Sequence, residues 1–135
     1  MKKVFIDTNV VIDLLLKREG YLSAAKVLSL SQNKEFSLFV SVLTMANIAY
    51  ILRKVLHGDA LYENLYQISS IIHVESITTD NYHSALHLRA RDFEDALQYF
   101  CAKSIGCDVL VTRNEKDFAF SEIEVLSPSD FLSSL

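Results

Sequence analysis

A chain of 135 residues, 50% hydrophobic, with three glycines and one proline, is long enough to bury a real core and fits one domain over residues 1–135. Its net charge of −4 argues against a generic nucleic-acid binder, which carries a basic excess, although bound cations would neutralise some of those acids. Cys101 and Cys107 stand alone, with no C-x-x-C, which excludes a disulfide framework and a zinc pattern and leaves buried, reduced thiols. Lys2-Lys3 ahead of apolar residues superficially resembles a signal peptide, but Asp7 and Asp13 interrupt the run. Val42–Leu52 is too short to span a membrane and contains Asn47. A soluble, cytoplasmic protein with no membrane association is expected.

In chain order, Lys3–Ile6 reads as a central strand that ends at Asp7, and Thr8 or Asn9 caps a helix carrying Val10, Val11, Leu14 and Leu15. Tyr21–Leu30 forms a second helix and Phe36–Val40 the next strand. Ser41 is a plausible N-cap for an apolar helix reaching about Leu56, closed by His57-Gly58. Ala60–Ser70 is helical, Ile71–Val74 is a strand, and Thr78 or Thr79 begins a helix through Ala90. Asp92 opens a helix to Ser104, punctuated by Gly106. Val109–Val111 and Ile123–Val125 are strands, and Pro128 opens a C-terminal helical turn. Strands alternating with helices or helix pairs imply an α/β class, a three-layer α/β/α sandwich with a mainly parallel central sheet.

Ligands in such sheets sit beyond the carboxyl ends of the strands, and the acids are distributed accordingly. Asp7 ends the first strand. As a lone residue it is an ordinary turn or cap, but a second strand, Val109–Val111, also runs into an acid-bearing turn with Thr112, Asn114 and Asp117. Asx and Thr residues are common turn formers, which accounts for one or two of these and not for their convergence with Asp7. Asp92, Glu94 and Asp95 open a helix, where a cap and a dipole-favoured acid are the plain explanation. At about 100° per residue Asp95 shares a face with Asp92. Asp95 is therefore the candidate ligand, Asp92 is either cap or support, and Glu94 is expected on the solvated side. Hard oxygen donors of this kind suit Mg²⁺, with Mn²⁺ accepted by the same set.

Asn47, inside an apolar helix, must be satisfied; it either bonds within the core or projects toward the acids. His83 and His87 share a helical face but lack the H-E-x-x-H pattern, so they read as surface histidines. No Gly-rich phosphate loop, nucleophile elbow or Cys–His pair supports another chemistry.

FIDTNVVIDLL at Phe5–Leu15, SVLTMANIAYIL at Ser41–Leu52 and DFEDALQYFCAKSIGCDVLVTRNEKDF at Asp92–Phe118, in this order, make the chain resemble a PIN domain over nearly its full length, closest to the toxin ribonucleases of bacterial toxin–antitoxin modules. The resemblance implies an endoribonuclease dependent on Mg²⁺ or Mn²⁺, with Asp7, Asp95 and Asp117 as catalytic and metal-binding residues. Asn47, Asp92, Thr112 and Asn114 would support them, and Arg113 and Lys116 would position the RNA backbone. Water would hydrolyse the phosphodiester, with no protein nucleophile. An antitoxin partner and a homodimer are implied by the resemblance alone. One departure stands out: the family's second acid is usually a Glu on the helix after Ser41, and Asn47 takes that place here. Asp92 is the candidate to restore the charge. A PIN-fold module that binds RNA or protein without catalysis is the rival reading, favoured by Asn47 and the acidic net charge.

Overall fold

A computed structural model describes all residues, 1–135. Five strands, β1 (Lys2–Ile6), β2 (Phe36–Ser41), β3 (His73–Glu75), β4 (Val109–Val111) and β5 (Glu124–Leu126), form one sheet in the order β3-β2-β1-β4-β5. All four pairings are parallel. The chain moves outward from β1 to β2 and β3, then returns to lay β4 on the other side of β1. That reversal makes the gap between β1 and β4 the switch point of the sheet, where a crevice opens at the carboxyl edge.

Strand residues alternate between two buried layers rather than between core and water, as expected of a parallel sheet covered on both faces. Val4, Ile6, Leu38, Val40, Val109 and Val111 pack on one side with helices α1 (Thr8–Leu15), α2 (Tyr21–Ser29), α3 (Val42–Leu52) and α4 (Asp59–Ile71), and with α7 (Pro128–Ser133) through Phe131. Phe5, Phe39 and Leu110 face the other layer, where Tyr99, Cys101 and Ala102 of α6 (Phe93–Ile105) meet Cys107 and Phe118. Helix α5 (Thr79–Leu88) packs beside α6. Gly106, at φ +80°, ends α6 in the left-handed region that a side chain would resist. Both cysteines are buried and free. Burial pushes their thiols up, to about 11 at Cys101 and about 12 at Cys107, which leaves them unreactive. No helix is long and apolar enough to cross a membrane.

Several boundaries differ from the sequence reading. Helix α3 stops at Leu52, and the chain reaches Leu56 through turns whose amides still bond the Leu52 carbonyl. Ile71 belongs to α4, so β3 starts at His73; a short apolar run gives no periodicity to decide between helix and strand. Helix α5 ends at Leu88 because Arg89 turns left-handed, at φ 54°. Two short 3-10 turns, Leu30–Gln32 and Glu115–Phe118, were not expected.

Candidate active site

The switch point brings the ends of β1, β4 and α6 together. Asp7 directly follows β1, and its extended backbone makes it the N-cap of α1 in place of Thr8 or Asn9. Its amide donates to the Val111 carbonyl at 2.9 Å, which ties it to β4. Asp7 is only 6% exposed, and its carboxylate is held at both oxygens. The Thr8 amide donates to Oδ1 and the Thr112 hydroxyl to Oδ2, each at 2.9 Å. Thr112 is itself fixed by the Asn114 amide, which donates to its Oγ1 at 3.1 Å. Burial raises the Asp7 pKa; the bonds from Thr112 and Thr8 oppose the rise, and Glu94 and Asp117 add to it.

Asp95 occupies the first turn of α6 and is half-buried. Desolvation first, then the charges of Asp7, Asp92, Asp117 and Glu94, lift its pKa to about 7. Asp117 lies on the exposed Glu115–Phe118 turn, anchored by its amide to the Asn114 carbonyl at 3.0 Å. Its carboxylate is close enough to raise both Asp7 and Asp95.

A cleft of about 290 Å³ opens over Asp7 and Asp95, lined also by Thr8, Asn9, Asn47 and Glu94, with Ile12, Tyr50 and Ile51 as its apolar side; Asp117 lines a separate hollow with Arg113, Asn114 and Lys116. Asn47 therefore projects toward the acids, where its Nδ2 donates to Glu94 Oε1 at 2.5 Å. Glu94 is exposed, as expected, but it also lines the cleft. Asp92, expected to share a helical face with Asp95, is the N-cap, with φ −114° and ψ 112°, and accepts from the Asp95 amide at 3.0 Å. The carboxylate that stands beside Asn47 thus comes from Glu94.

Behind the cleft lies a buried polar cluster that sequence patterning did not single out. Gln98 of α6 is 1% exposed and accepts from the Ser41 hydroxyl at 2.6 Å. Its amide nitrogen donates to Thr44 Oγ1 at 2.7 Å and to Thr8 Oγ1 at 3.2 Å. The Thr8 and Thr44 hydroxyls share a further bond of 2.8 Å, and Ser41 caps α3 by accepting from the Thr44 amide. The cluster ties α1, α3 and α6 together beneath Asp7, Asn47 and Asp95. A glutamine among apolar helix positions was its one available signal.

The two cationic candidates separate. Arg113 donates from an η-nitrogen to the buried Asp13 carboxylate at 3.0 Å. Lys116 is exposed on the Glu115–Phe118 turn. The ion pairs of the molecule are Arg113–Asp13 and Lys103–Glu122, so none of Asp7, Glu94, Asp95 and Asp117 has a cationic partner. Carboxylates crowded without compensation fit a hard divalent cation. No three of them converge tightly enough to enclose an ion by themselves.

A covered parallel sheet with an acidic crevice at its switch point defines a class of three-layer α/β proteins that gather ligands at the carboxyl edge. Residues 3–116 match the PIN domain model, and the chain belongs to the PIN domain family. It is 27% identical to ribonuclease VapC1 of Aquifex aeolicus, across 96% of this chain and 93% of that protein. Its fold is shared by VapBC-1 from nontypeable Haemophilus influenzae, with a TM-score of 0.73 at 19% identity, covering 94% of this chain and 98% of that one. It is shared too by Mycobacterium tuberculosis VapC20, a sarcin-ricin loop cleaving toxin, with a TM-score of 0.66 at 18% identity, covering 90% and 98%.

Proposed function

We propose that this chain is a divalent-metal-dependent endoribonuclease, the toxin of a toxin–antitoxin pair. The observation that carries the reading is the set of carboxylates without cationic partners at the β1/β4 switch point of a PIN domain. The similarity to ribonuclease VapC1 supports RNA as the substrate. The VapBC complexes that share the fold support an antitoxin as protein partner; a homodimer remains part of the proposal on family grounds.

Asp7, Asp95 and Asp117 would hold Mg²⁺ or Mn²⁺, with Glu94 contributing charge where Asn47 replaces the usual acid. When bound, such an ion supplies Lewis-acid charge for phosphodiester hydrolysis. The chain's own residues prepare that site. Thr112 and the Thr8 amide fix the Asp7 carboxylate in one orientation. Burial and the neighbouring carboxylates raise the Asp95 pKa to about 7, and a cation held there would favour its ionised form. Asn47 orients Glu94, and the buried Gln98 cluster keeps α6 in place over α1 and α3.

The alternative, a binding module without catalysis, draws on Asn47. Glu94 beside that amide weakens the argument, since the carboxylate is supplied from α6. Cleavage of a panel of structured RNAs with Mg²⁺ or Mn²⁺, against EDTA and Asp95→Asn controls, decides between them. Metal-dependent cleavage lost in the variant is expected. A folded wild-type protein that cuts nothing with metal present overturns the enzyme in favour of the binding module.

A further inference from the structure

An acidic cleft on a chain of net charge −4 repels phosphates, and beyond the cation proposed for its acids a basic group at its rim would draw RNA in. Arg113 is committed to Asp13. On the opposite wall, α3 presents Tyr50, which lines the same cleft as Asp7, Glu94 and Asp95 and is 58% exposed. One turn on, the Arg53 guanidinium carbon lies 4.0 Å from the centroid of the Tyr50 ring, well inside the distance of about 6 Å at which a cation is attracted to an aromatic face. Arg53 is exposed and makes no ion pair. A ring braced by a cation on one face still has a second face for stacking.

We propose that Tyr50 and Arg53 form a clamp for single-stranded RNA at the rim of the cleft. Tyr50 stacks a base of the strand, and Arg53 contacts the adjoining phosphate while it steadies the ring. Bases are free to stack on protein aromatics only where they are unpaired, which is how proteins select loops and single strands over duplex RNA. The cleft volume of about 290 Å³ is at the small end of ligand sites and suits one nucleotide rather than a helix. The clamp deepens the ribonuclease reading and rests on it for the identity of the substrate; both residues act as positioning residues.

Binding is measured by fluorescence anisotropy in EDTA, with the full chain carrying Asp95→Asn, against a labelled single-stranded oligouridylate and an RNA duplex of equal length. The single strand is expected to bind better. Tyr50→Ala should weaken its binding roughly ten- to hundred-fold and erase the preference over duplex, as loss of one stacked base does. Tyr50→Phe should keep the preference, because the ring and not the hydroxyl is used. Arg53→Ala should weaken binding and flatten its salt dependence. In the metal-loaded enzyme the Tyr50→Ala loss should fall on KM more than on kcat.

Equal binding of single strand by Tyr50→Ala and the parent, or a duplex preferred by the parent, overturns the clamp. Should the wild type cleave RNA while the Tyr50 and Arg53 variants bind normally, the clamp fails and the nuclease stands. Should the clamp variants lose binding in a protein that cleaves nothing, the clamp stands and the nuclease fails. Because Tyr50 and Arg53 are exposed, the variants are expected to fold, and circular dichroism confirms it.

Discussion

Burial, with the charges of Asp7, Asp92, Asp117 and Glu94 behind it, raises the Asp95 pKa from the ordinary 3.8 to about 7. Between pH 4 and 7 the folded chain holds a proton at Asp95 that the unfolded chain has released. The group therefore contributes stability below its unfolded pKa and loses it as pH rises through about 7. Without metal, Asp95→Asn should raise Tm at pH 8, and the gain should shrink on acidification until it is gone below about pH 4; calorimetry at the two ends of that window checks it. A variant less stable than the parent at pH 8 would mean that the Asp95 charge is compensated. Asp92 and Glu94 provide the contrast. Asp92→Ala removes a helix cap and should cost about 1 kcal/mol of stability in urea unfolding, with only a modest effect on Mg²⁺ affinity. Glu94→Gln should do the reverse, weakening Mg²⁺ binding in a titration by several-fold with little change in stability. Similar metal affinities in Glu94→Gln and wild type would remove Glu94 from the site. The sequence could name Asp7 and Asp95 because strand ends and helix starts are legible. It could not assign Glu94, since that depends on Asn47 reaching across from a helix 47 residues earlier.

At the scale of the elements, the site is held by the Gln98 cluster rather than by propensity. Helices α1, α3 and α6 meet at Thr8, Thr44 and Gln98, and every buried side-chain polar atom there is satisfied. Gln98→Ala would leave a cavity and remove the 2.6 Å acceptor of the Ser41 hydroxyl, with a cost of about 2–4 kcal/mol. The midpoint of urea unfolding should fall accordingly, and cleavage should fall with it as α6 loosens over Asp7. An unchanged midpoint would show that the hydroxyls find other partners. Parallel strands and their helices were readable because β1, β2 and β4 are apolar runs and the helices between them have clear periodicity. The cluster was not, because its members lie up to 90 residues apart and each is an unremarkable polar residue in its own segment. The same distance hid the pairing of Arg113 with Asp13, 100 residues away. Only the fold makes such partners visible.

For the molecule as a whole, the acids that define the site also hold back its stability, and a bound cation should reverse the deficit. Asp7 and Asp95 both have raised pKa values, set first by burial, which the bonds from Thr112 and Thr8 partly oppose at Asp7 and to which the Asp7 charge adds at Asp95. The metal-free fold is thus least favoured where these groups are ionised. A ligand that binds only the folded state adds RT ln(1 + [L]/Kd), about 2.7 kcal/mol at a hundred times Kd, which for a chain of this size amounts to several degrees in Tm. Mg²⁺ should accordingly raise Tm at pH 8. At pH 5, where Asp95 retains its proton, the cation must displace it and the rise should be smaller. KCl at matched ionic strength separates site binding from the screening of surface charge. Asp95→Asn should keep the KCl response and lose most of the Mg²⁺ increment. If Mg²⁺ and KCl move Tm equally at pH 8, the carboxylates at the β1/β4 switch point are not a metal site, and the catalytic reading loses its chemical basis along with them.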